Sequence, residues 1–303
     1  MKKHYSLLLA FLVAFSSLFV SCDENEWFEE LNKCRITVVA TDGGEVKISK
    51  YLQTSELILL GSEIDIVATP NDGYVFTGWY VNDSTEPISG DAIFTFVATK
   101  NTTLTAHFSI PVGEAIDLGL PSGLKWATMN VGATSPEDYG GYYAWGETEE
   151  KDNYDWSTYK WCNGSSYTMT KYCTDSSYGT VDNKTVLDPE DDVAYVKWGG
   201  SWRMPTLDEQ DELRNNCTWT WTTQNGVNGY NVTGPNGNSI FLPAAGSSYG
   251  TEKYDIELCG GYWSSSLYSD NSYSALSLNF YNGRYDKGYV NRCHGRIVRP
   301  VSE

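Results

Sequence analysis

Residues 36–108 alternate apolar and polar side chains with a period of two, and short turns rich in glycine and asparagine interrupt the alternation. The runs begin at Ile36 and end at Phe108, with turns at 42–44, 61–62 and 70–73. A period of two places neighbouring side chains on opposite faces of a strand. The pattern predicts about five or six short, half-buried antiparallel strands of ordinary length.

The first 21 residues have the organisation of an export signal. Lys2 and Lys3 form a basic head, and the uncharged run Leu7–Phe15 is too short to span a bilayer. The segment Phe19–Cys22 resembles the lipobox of bacterial lipoproteins, in which the cysteine is acylated and becomes the new N-terminus. A secretory signal with an unrelated cysteine is the alternative. On either interpretation the mature chain leaves the cytoplasm.

Residues 22–34 form a short acidic tether that contains Asp23, Glu24 and Glu26. Acids directly after the lipidated cysteine resemble the signal that sends some Bacteroidota lipoproteins to the cell surface. The resemblance implies a protein anchored in the outer membrane by its N-terminal lipid and exposed at the cell surface. A solvated tether with no sorting role would be acidic as well.

The balance of charged residues narrows the possible partners. The chain has 39 Asp and Glu against 21 Lys and Arg, a formal net charge of −18. Such a surface repels nucleic acids and anionic membranes, so nucleic-acid binding is excluded.

Cysteine and histidine usage limits the chemistry. Acylation of Cys22 would leave an even number of cysteines, which permits disulfides without specifying their pairing. No C-x-x-C motif occurs, and only His107 and His294 remain after signal removal. Strand parity places His107 on the solvent face. We expect no catalytic residues, no metal site and no cofactor.

Three motifs in residues 35–109 identify a known module. Gly43-Gly44, the segment 73–79 (G-Y-V-F-T-G-W) and the segment 104–108 (L-T-A-H-F) resemble the divergent internalin B-type bacterial repeat. The resemblance implies a small β domain that spaces and presents other domains on bacterial surfaces. Trp79 is interpreted as the core aromatic of this domain rather than as a ligand-binding residue.

Proline after Ile110 marks the domain boundary, and residues 112–303 carry a second ordered set of motifs. The set resembles the Fibrobacter succinogenes major paralogous domain, and its members are 116–127 (I-D-L-G-L-P-S-G-L-K-W-A), 139–148 (Y-G-G-Y-Y-A-W-G-E-T), 199–206 (G-G-S-W-R-M-P-T), 240–246 (I-F-L-P-A-A-G), 261–266 (G-Y-W-S-S-S) and 295–301 (G-R-I-V-R-P-V).

Local signals in residues 112–303 predict two short helices followed by strands. Asp188 is the expected N-cap of the first helix, with Val193, Ala194 and Val196 on its apolar side. Thr206 and Glu209 form a capping box that opens the second helix, which is expected to run to about Arg214. Asn282-Gly283 predicts a tight hairpin turn.

The fold class predicted for the whole chain is therefore α+β and mainly β. Two helices followed by strands resemble the C-type-lectin-like fold shared with the formylglycine-generating enzymes. The Glu-Pro-Asn loop of calcium-dependent lectins is absent from the second domain. Cys259 and Cys293 could form either a disulfide that staples the last strands or an oxidase thiol pair, and we favour the disulfide.

Residues 139–178 are unusually rich in tyrosine and tryptophan among polar residues. Flat aromatic faces beside amide and hydroxyl groups hold sugars and peptides, although a loop-rich fold also fills its core with aromatics. Candidate ligand-binding residues are Tyr142, Tyr143, Trp145, Trp156, Tyr159 and Trp161. Arg203, Arg296 and Arg299 lie in apolar segments, which predicts buried ion pairs with Asp or Glu.

Three functions are compatible with these features. The leading hypothesis is a non-enzymatic, surface-anchored binding or adhesion lipoprotein, in which the repeat is a spacer and the C-terminal domain binds a glycan or a protein. A cell-surface enzyme of the formylglycine-generating class is the first alternative. A structural subunit of a surface fibre or complex is the second.

Overall fold

The structure is a computed structural model that describes residues 32–71 and 73–303. One structural unit ends at Ser109 and the other begins at Ile110. The expected signal peptide, Cys22 and the tether up to residue 31 lie outside the described residues. None of the helices in the described ranges is long and apolar enough to cross a membrane.

The first unit is built from strands. They are β1 (Lys33–Ala40), β2 (Gly44–Ile48), β3 (Ser55–Leu59), β4 (Glu63–Pro70), β5 (Val75–Val81), β6 (Ile93–Val97) and β7 (Thr102–Ser109). One sheet has the order β3-β1-β7-β5 and the other β2-β4-β6. The core contains Ile36, Ile66 and Trp79, which expose no surface. The core role expected for Trp79 is confirmed.

Two features of this unit differ from the sequence-based expectation. β3 (S-E-L-I-L) was not predicted, although it pairs with β1 from Lys33 to Thr37. β1 and β7 pair in parallel, with Ile36 opposite Thr102, so the sheets are not purely antiparallel. Parallel pairing joins segments far apart in sequence, and alternation within one strand carries no information about its neighbour.

The glycines of the first repeat motif make room for the aromatic rings of the other two. A Cβ added to Gly43 would lie 2.1 Å from the Tyr74 ring, and one added to Gly44 would lie 2.3 Å from the Phe108 ring. His107 is half buried on the face predicted for it, with its ring centroid 4.2 Å from that of Tyr80. Close ring packing therefore explains why the three motifs occur together.

The second unit has several small sheets and two α-helices among its described residues. Its strands are β8 (Ala115–Asp117), β9 (Lys125–Ala127), β10 (Thr218–Gln224), β11 (Val227–Thr233), β12 (Ser239–Pro243), β13 (Ser247–Tyr249), β14 (Glu252–Tyr254), β15 (Cys259–Leu267), β16 (Ser274–Tyr281), β17 (Arg284–Asn291) and β18 (Val301–Ser302). The helices are α1 (Val193–Trp198) and α2 (Leu207–Asn216). The mainly-β prediction is confirmed.

The start of α1 is displaced from the prediction. Asp188 makes no side-chain cap, and a single 3-10 turn follows it at Pro189–Asp191. Asp192 is the N-cap instead and accepts hydrogen bonds from the backbone N–H groups of Ala194 and Tyr195. Val196 is 47% exposed, so its assignment to the apolar side was wrong. The Asp188 carboxylate forms ion pairs with Lys171 and Lys184 instead of accepting hydrogen bonds from backbone N–H groups at the start of the helix.

Two other local predictions are confirmed. Thr206 and Glu209 form both hydrogen bonds of a capping box at the start of α2. The hairpin β16–β17 turns through Asn282-Gly283, and Tyr281 pairs with Arg284 across it. Gly283 has a φ of +82°, a conformation that favours glycine.

The ion-pair prediction holds for one of three arginines. Arg203 donates to both carboxylate oxygens of Glu209, at 2.8 and 2.7 Å. Arg299 is buried, but its guanidinium donates to the Asn130 side chain and to two backbone carbonyls. Arg296 donates to Asn279 and Ser277. The prediction was wrong for these two because neutral oxygen atoms, of the backbone and of Asn and Ser side chains, accept their hydrogen bonds in place of carboxylates. The Nε of Arg296 has no hydrogen-bond partner within the described residues.

Candidate binding surface

Most of the aromatic residues proposed to bind ligand belong to the core of the second unit. The side chains of Tyr142, Tyr143, Trp145 and Tyr159 are 3% exposed or less. Trp156 and Trp161 are half buried. Rings without exposed faces cannot stack on a ligand, so the structure gives the four buried residues a packing role.

The polar atoms of these rings are also occupied inside the protein. The Tyr142 hydroxyl donates to the Ala245 carbonyl at 2.6 Å, and the Tyr159 hydroxyl donates to the Trp145 carbonyl at 2.6 Å. The indole N–H of Trp161 donates to the Gly146 carbonyl at 2.7 Å. Burial raises the pKa of Tyr142 and Tyr159 above the ordinary tyrosine value, which keeps both hydroxyls protonated as donors.

Trp161 is in contact with two lysines. The ammonium groups of Lys160 and Lys171 lie 4.3 and 5.0 Å from its ring centroid. Lys171 also pairs with Asp188 and Asp191, both at 2.6 Å. A ligand that stacks on Trp161 would therefore compete with two ammonium groups that already lie over its ring.

Two groups of tyrosines on the second unit leave at least part of their rings exposed. We call the two groups together the tyrosine surface, and its members are Tyr167, Tyr178 and Tyr273 in one group and Tyr268 and Tyr289 in the other. Tyr178 lies 6.0 Å from Tyr167 and 5.3 Å from Tyr273, measured between ring centroids. Tyr268 and Tyr289 stack at 4.2 Å with nearly parallel planes. Tyr167 and Tyr289 are 65% and 59% exposed.

Three separated segments contribute to the tyrosine surface. Tyr167 and Tyr178 come from the long irregular segment before α1, and Tyr268 and Tyr273 flank the loop between β15 and β16. Tyr289 comes from β17. The Tyr268 hydroxyl donates to Asp270 at 2.8 Å, and this hydrogen bond is the largest cause of the raised pKa of Tyr268.

The buried side chain of Arg292 forms hydrogen bonds with both loops that carry these tyrosines. Its guanidinium donates to the carbonyl oxygens of Tyr172, Ser272 and Lys171, at 3.0, 2.8 and 3.1 Å. It also donates to the Tyr159 hydroxyl at 2.8 Å. Ser272 in turn accepts a hydrogen bond from the Thr174 N–H at 3.0 Å. The two loops that present four of the tyrosines are therefore held to one rigid cation.

Two acidic residues lie in the loops that contribute to the tyrosine surface. Asp175 and Asp270 lie in the same loops, and neither forms an ion pair in the part of the chain that the structure describes. The Ser177 backbone N–H donates to Asp175 at 2.8 Å and lowers the pKa of that carboxyl below its ordinary value. Both carboxylates would repel an anionic ligand.

Sequence reasoning missed Tyr268, Tyr273 and Tyr289 because it weighed only the aromatic-rich stretch 139–178. A usable signal was the segment 268–273, Y-S-D-N-S-Y, where two tyrosines flank a polar loop between strands. Its contact with residues 167–178 depends on tertiary structure, since the two segments are about a hundred positions apart.

The cysteine prediction is corrected. The described cysteines are all free, and they are Cys34, Cys162, Cys173, Cys217, Cys259 and Cys293. Burial raises the pKa of Cys293 to about 12, and Cys162 lies close enough to contribute to that shift. Cys293 is thus buried in the core beside a different cysteine from the one expected, and the disulfide between Cys259 and Cys293 is not formed.

Comparison with known proteins found a matching family model for the first unit. Residues 34–111 match the family model of the divergent InlB B-repeat domain. The match covers the glycine and aromatic motifs whose packing is described above, and a repeat of this type indicates a surface-related bacterial protein. No curated protein and no solved structure matched the chain.

Proposed function

We propose that the chain is a lipid-anchored binding protein of the bacterial cell surface, with no enzymatic activity, whose C-terminal unit contacts a glycan through the tyrosine surface. The observation that carries the proposal is this set of five tyrosines, two of them more than half exposed and four of them on loops held by a buried arginine. Exposed aromatic rings on a rigid support lose little entropy when a ligand stacks on them.

The other parts of the chain fit this assignment. The repeat at residues 34–111 would act as a spacer, and Cys22 would carry the lipid that anchors the protein in the outer membrane. The C-type-lectin-like character of residues 112–303, inferred from their resemblance to the Fibrobacter-type domain, belongs to the proposal as well.

A glycan array tests the binding function. Full-length protein in detergent is compared with the double variant Tyr167→Ala, Tyr289→Ala, which removes the two most exposed rings of the tyrosine surface. Each stacked aromatic contributes roughly 0.5–1.5 kcal/mol, so the pair should weaken binding by about tenfold or more. Tyr281→Ala is the matched control, because Tyr281 is 55% exposed on the same β-sheet but lies outside the tyrosine surface.

Equal binding by the double variant and the control would remove the tyrosine surface from the proposal. An array without signal, together with a stable protein partner that co-purifies from outer membranes, would favour a structural subunit. The anchor is tested separately by incorporation of labelled fatty acid, which Cys22→Ser should abolish. Protease added to intact cells then reports whether the chain faces outward.

A further inference from the structure

A cleft of about 460 Å³ lies beside α1, and none of the residues of the tyrosine surface lines it. We call it the Trp202 cleft, and its walls include Leu187, Asp192, Tyr195, Trp202, Arg203 and Met204. A cleft of this volume is large enough for a small organic molecule.

Two aromatic side chains of the cleft are accessible. Tyr195 is 46% exposed and Trp202 is half buried. The Trp202 ring stands perpendicular to that of Trp198, with centroids 5.1 Å apart, and this packing fixes its orientation. The cleft therefore has one fixed indole and one exposed phenol on its walls.

The carboxylate of Asp192 lies in the wall of the same cleft and is 5% exposed. It accepts hydrogen bonds from the backbone N–H groups of Ala194, Tyr195 and Met204, at 2.9, 3.1 and 2.8 Å. Within residues 32–71 and 73–303 it forms no ion pair. Burial raises its pKa above the ordinary aspartate value, and the three N–H donors oppose that shift.

The cation in the cleft wall is already neutralised. Arg203 donates to both oxygens of Glu209, so its charge is balanced by that carboxylate. Glu303 also lines the cleft, and its carboxylate lies 4.0 Å from the same guanidinium. Counted together, the charged groups leave the cleft with an excess of negative charge, which disfavours anions and favours cations.

From this combination we infer that the Trp202 cleft binds an organic cation, an amine or a quaternary ammonium group, against the rings of Tyr195 and Trp202 that line it and near the carboxylate of Asp192. A cation gains from the negative face of each ring and from the carboxylate at once. A neutral molecule of the same shape gains only from apolar contact. The inference is independent of the glycan proposal, since it uses none of the tyrosines of the tyrosine surface.

Choline and its uncharged isostere 3,3-dimethylbutan-1-ol are the probes. Binding to the full-length protein is measured by calorimetry and by the change in tryptophan fluorescence. Choline should bind saturably and at least about tenfold more tightly than the isostere, because only choline has the charge that the rings and Asp192 recognise. Equal affinity, or no saturable binding of choline, would overturn the inference.

Variants of the two aromatic residues test whether choline binds in the Trp202 cleft. Trp202→Ala should weaken choline binding by about tenfold, and Tyr195→Ala by about threefold, as expected for a more and a less buried cation–π contact. Val196→Ala is the control, because Val196 is exposed on the same helix and does not line the cleft. Unchanged affinity in both aromatic variants would place choline elsewhere and refute the assignment.

Asp192→Asn tests the charge directly. The variant should reduce the preference for choline over the isostere, and an unchanged preference would exclude Asp192 from recognition. Since Asp192 also caps α1, its folding is checked first by circular dichroism. Should it fail to fold, recognition of the charge is judged from the wild-type preference for choline over the isostere, and the place of binding from Tyr195→Ala, whose exposed side chain can be removed without opening the core.

Discussion

Arg292 donates a hydrogen bond of 2.8 Å to the backbone carbonyl of Ser272, although neither residue exposes any surface. The guanidinium carries its charge into the core without a carboxylate partner, and its acceptors are three carbonyls and one hydroxyl. Five donors in a planar fork let one arginine satisfy several loop carbonyls that would otherwise be buried without partners.

Replacement of Arg292 should destabilise the second unit strongly. Arg292→Met leaves buried carbonyls unsatisfied, and we expect a loss of about 3–5 kcal/mol in the free energy of unfolding. Arg292→Lys keeps the charge but cannot reach all acceptors, so its loss should be intermediate. Urea unfolding followed by fluorescence measures both. Arg284→Met is the control, since the Arg284 side chain is 74% exposed, and a similar loss there would contradict the account.

His294 should make stability depend on pH in the mildly acidic range. Burial, with Arg296 adding to it, lowers the pKa of His294 from 6.5 to about 4. Between pH 6.5 and 4 this histidine is protonated in the unfolded chain but neutral in the folded protein. The free energy of unfolding should therefore fall as the pH drops from 6.5 towards 4, and the contribution of His294 should then level off. Allowing for partial exposure, the loss is about 2 kcal/mol.

Thermal unfolding of the wild type and of His294→Gln across this window measures the effect. The variant should lack the slope between pH 6.5 and 4.5, while losses at lower pH, where carboxylates such as Glu209 titrate, should be shared by both proteins. Identical slopes in the two proteins would show that another group is responsible.

The described cysteines should all be reduced thiols in the purified protein. Alkylation after unfolding without reductant should label Cys259 and Cys293, because neither is in a disulfide. In the folded protein Cys293 should react very slowly, since it exposes no surface and its pKa is raised to about 12. Peptide mass spectrometry checks both statements, and a linked peptide containing Cys259 and Cys293 would refute the first.

Gly44→Ala should destabilise the first unit. The new Cβ would lie 2.3 Å from the ring of Phe108, which is buried in the core. Overpacking of this kind costs about 1–3 kcal/mol. Gly90→Ala is the matched control, because Gly90 has open space around its Cα, and its stability should change by less than about 0.5 kcal/mol. Calorimetry of both variants distinguishes them, and equal unfolding temperatures would disprove the packing role.

Short sequence motifs were sufficient to predict several structural elements. The capping box at Thr206 and Glu209 and the turn at Asn282-Gly283 depend on residues a few positions apart, and both form as expected. The N-cap of α1 was misplaced because Asp188 and Asp192 are both good caps by sequence. Tertiary contacts decide between them. Asp188 forms an ion pair with Lys171, whereas Asp192 accepts a hydrogen bond from the Met204 N–H and caps the helix.

By itself, the sequence determined the mainly-β character, the strands of the repeat other than β3 and the presence of two short helices, because periodicity, capping and turn chemistry act over a few residues. Tertiary structure alone decided which aromatics are buried and which are exposed. Tyr142 and Tyr167 belong to the same aromatic-rich stretch, yet one is in the core and the other on the surface. The physical reason is that exposure depends on contacts with distant segments, such as the Arg292 to Ser272 hydrogen bond, and composition does not specify those contacts.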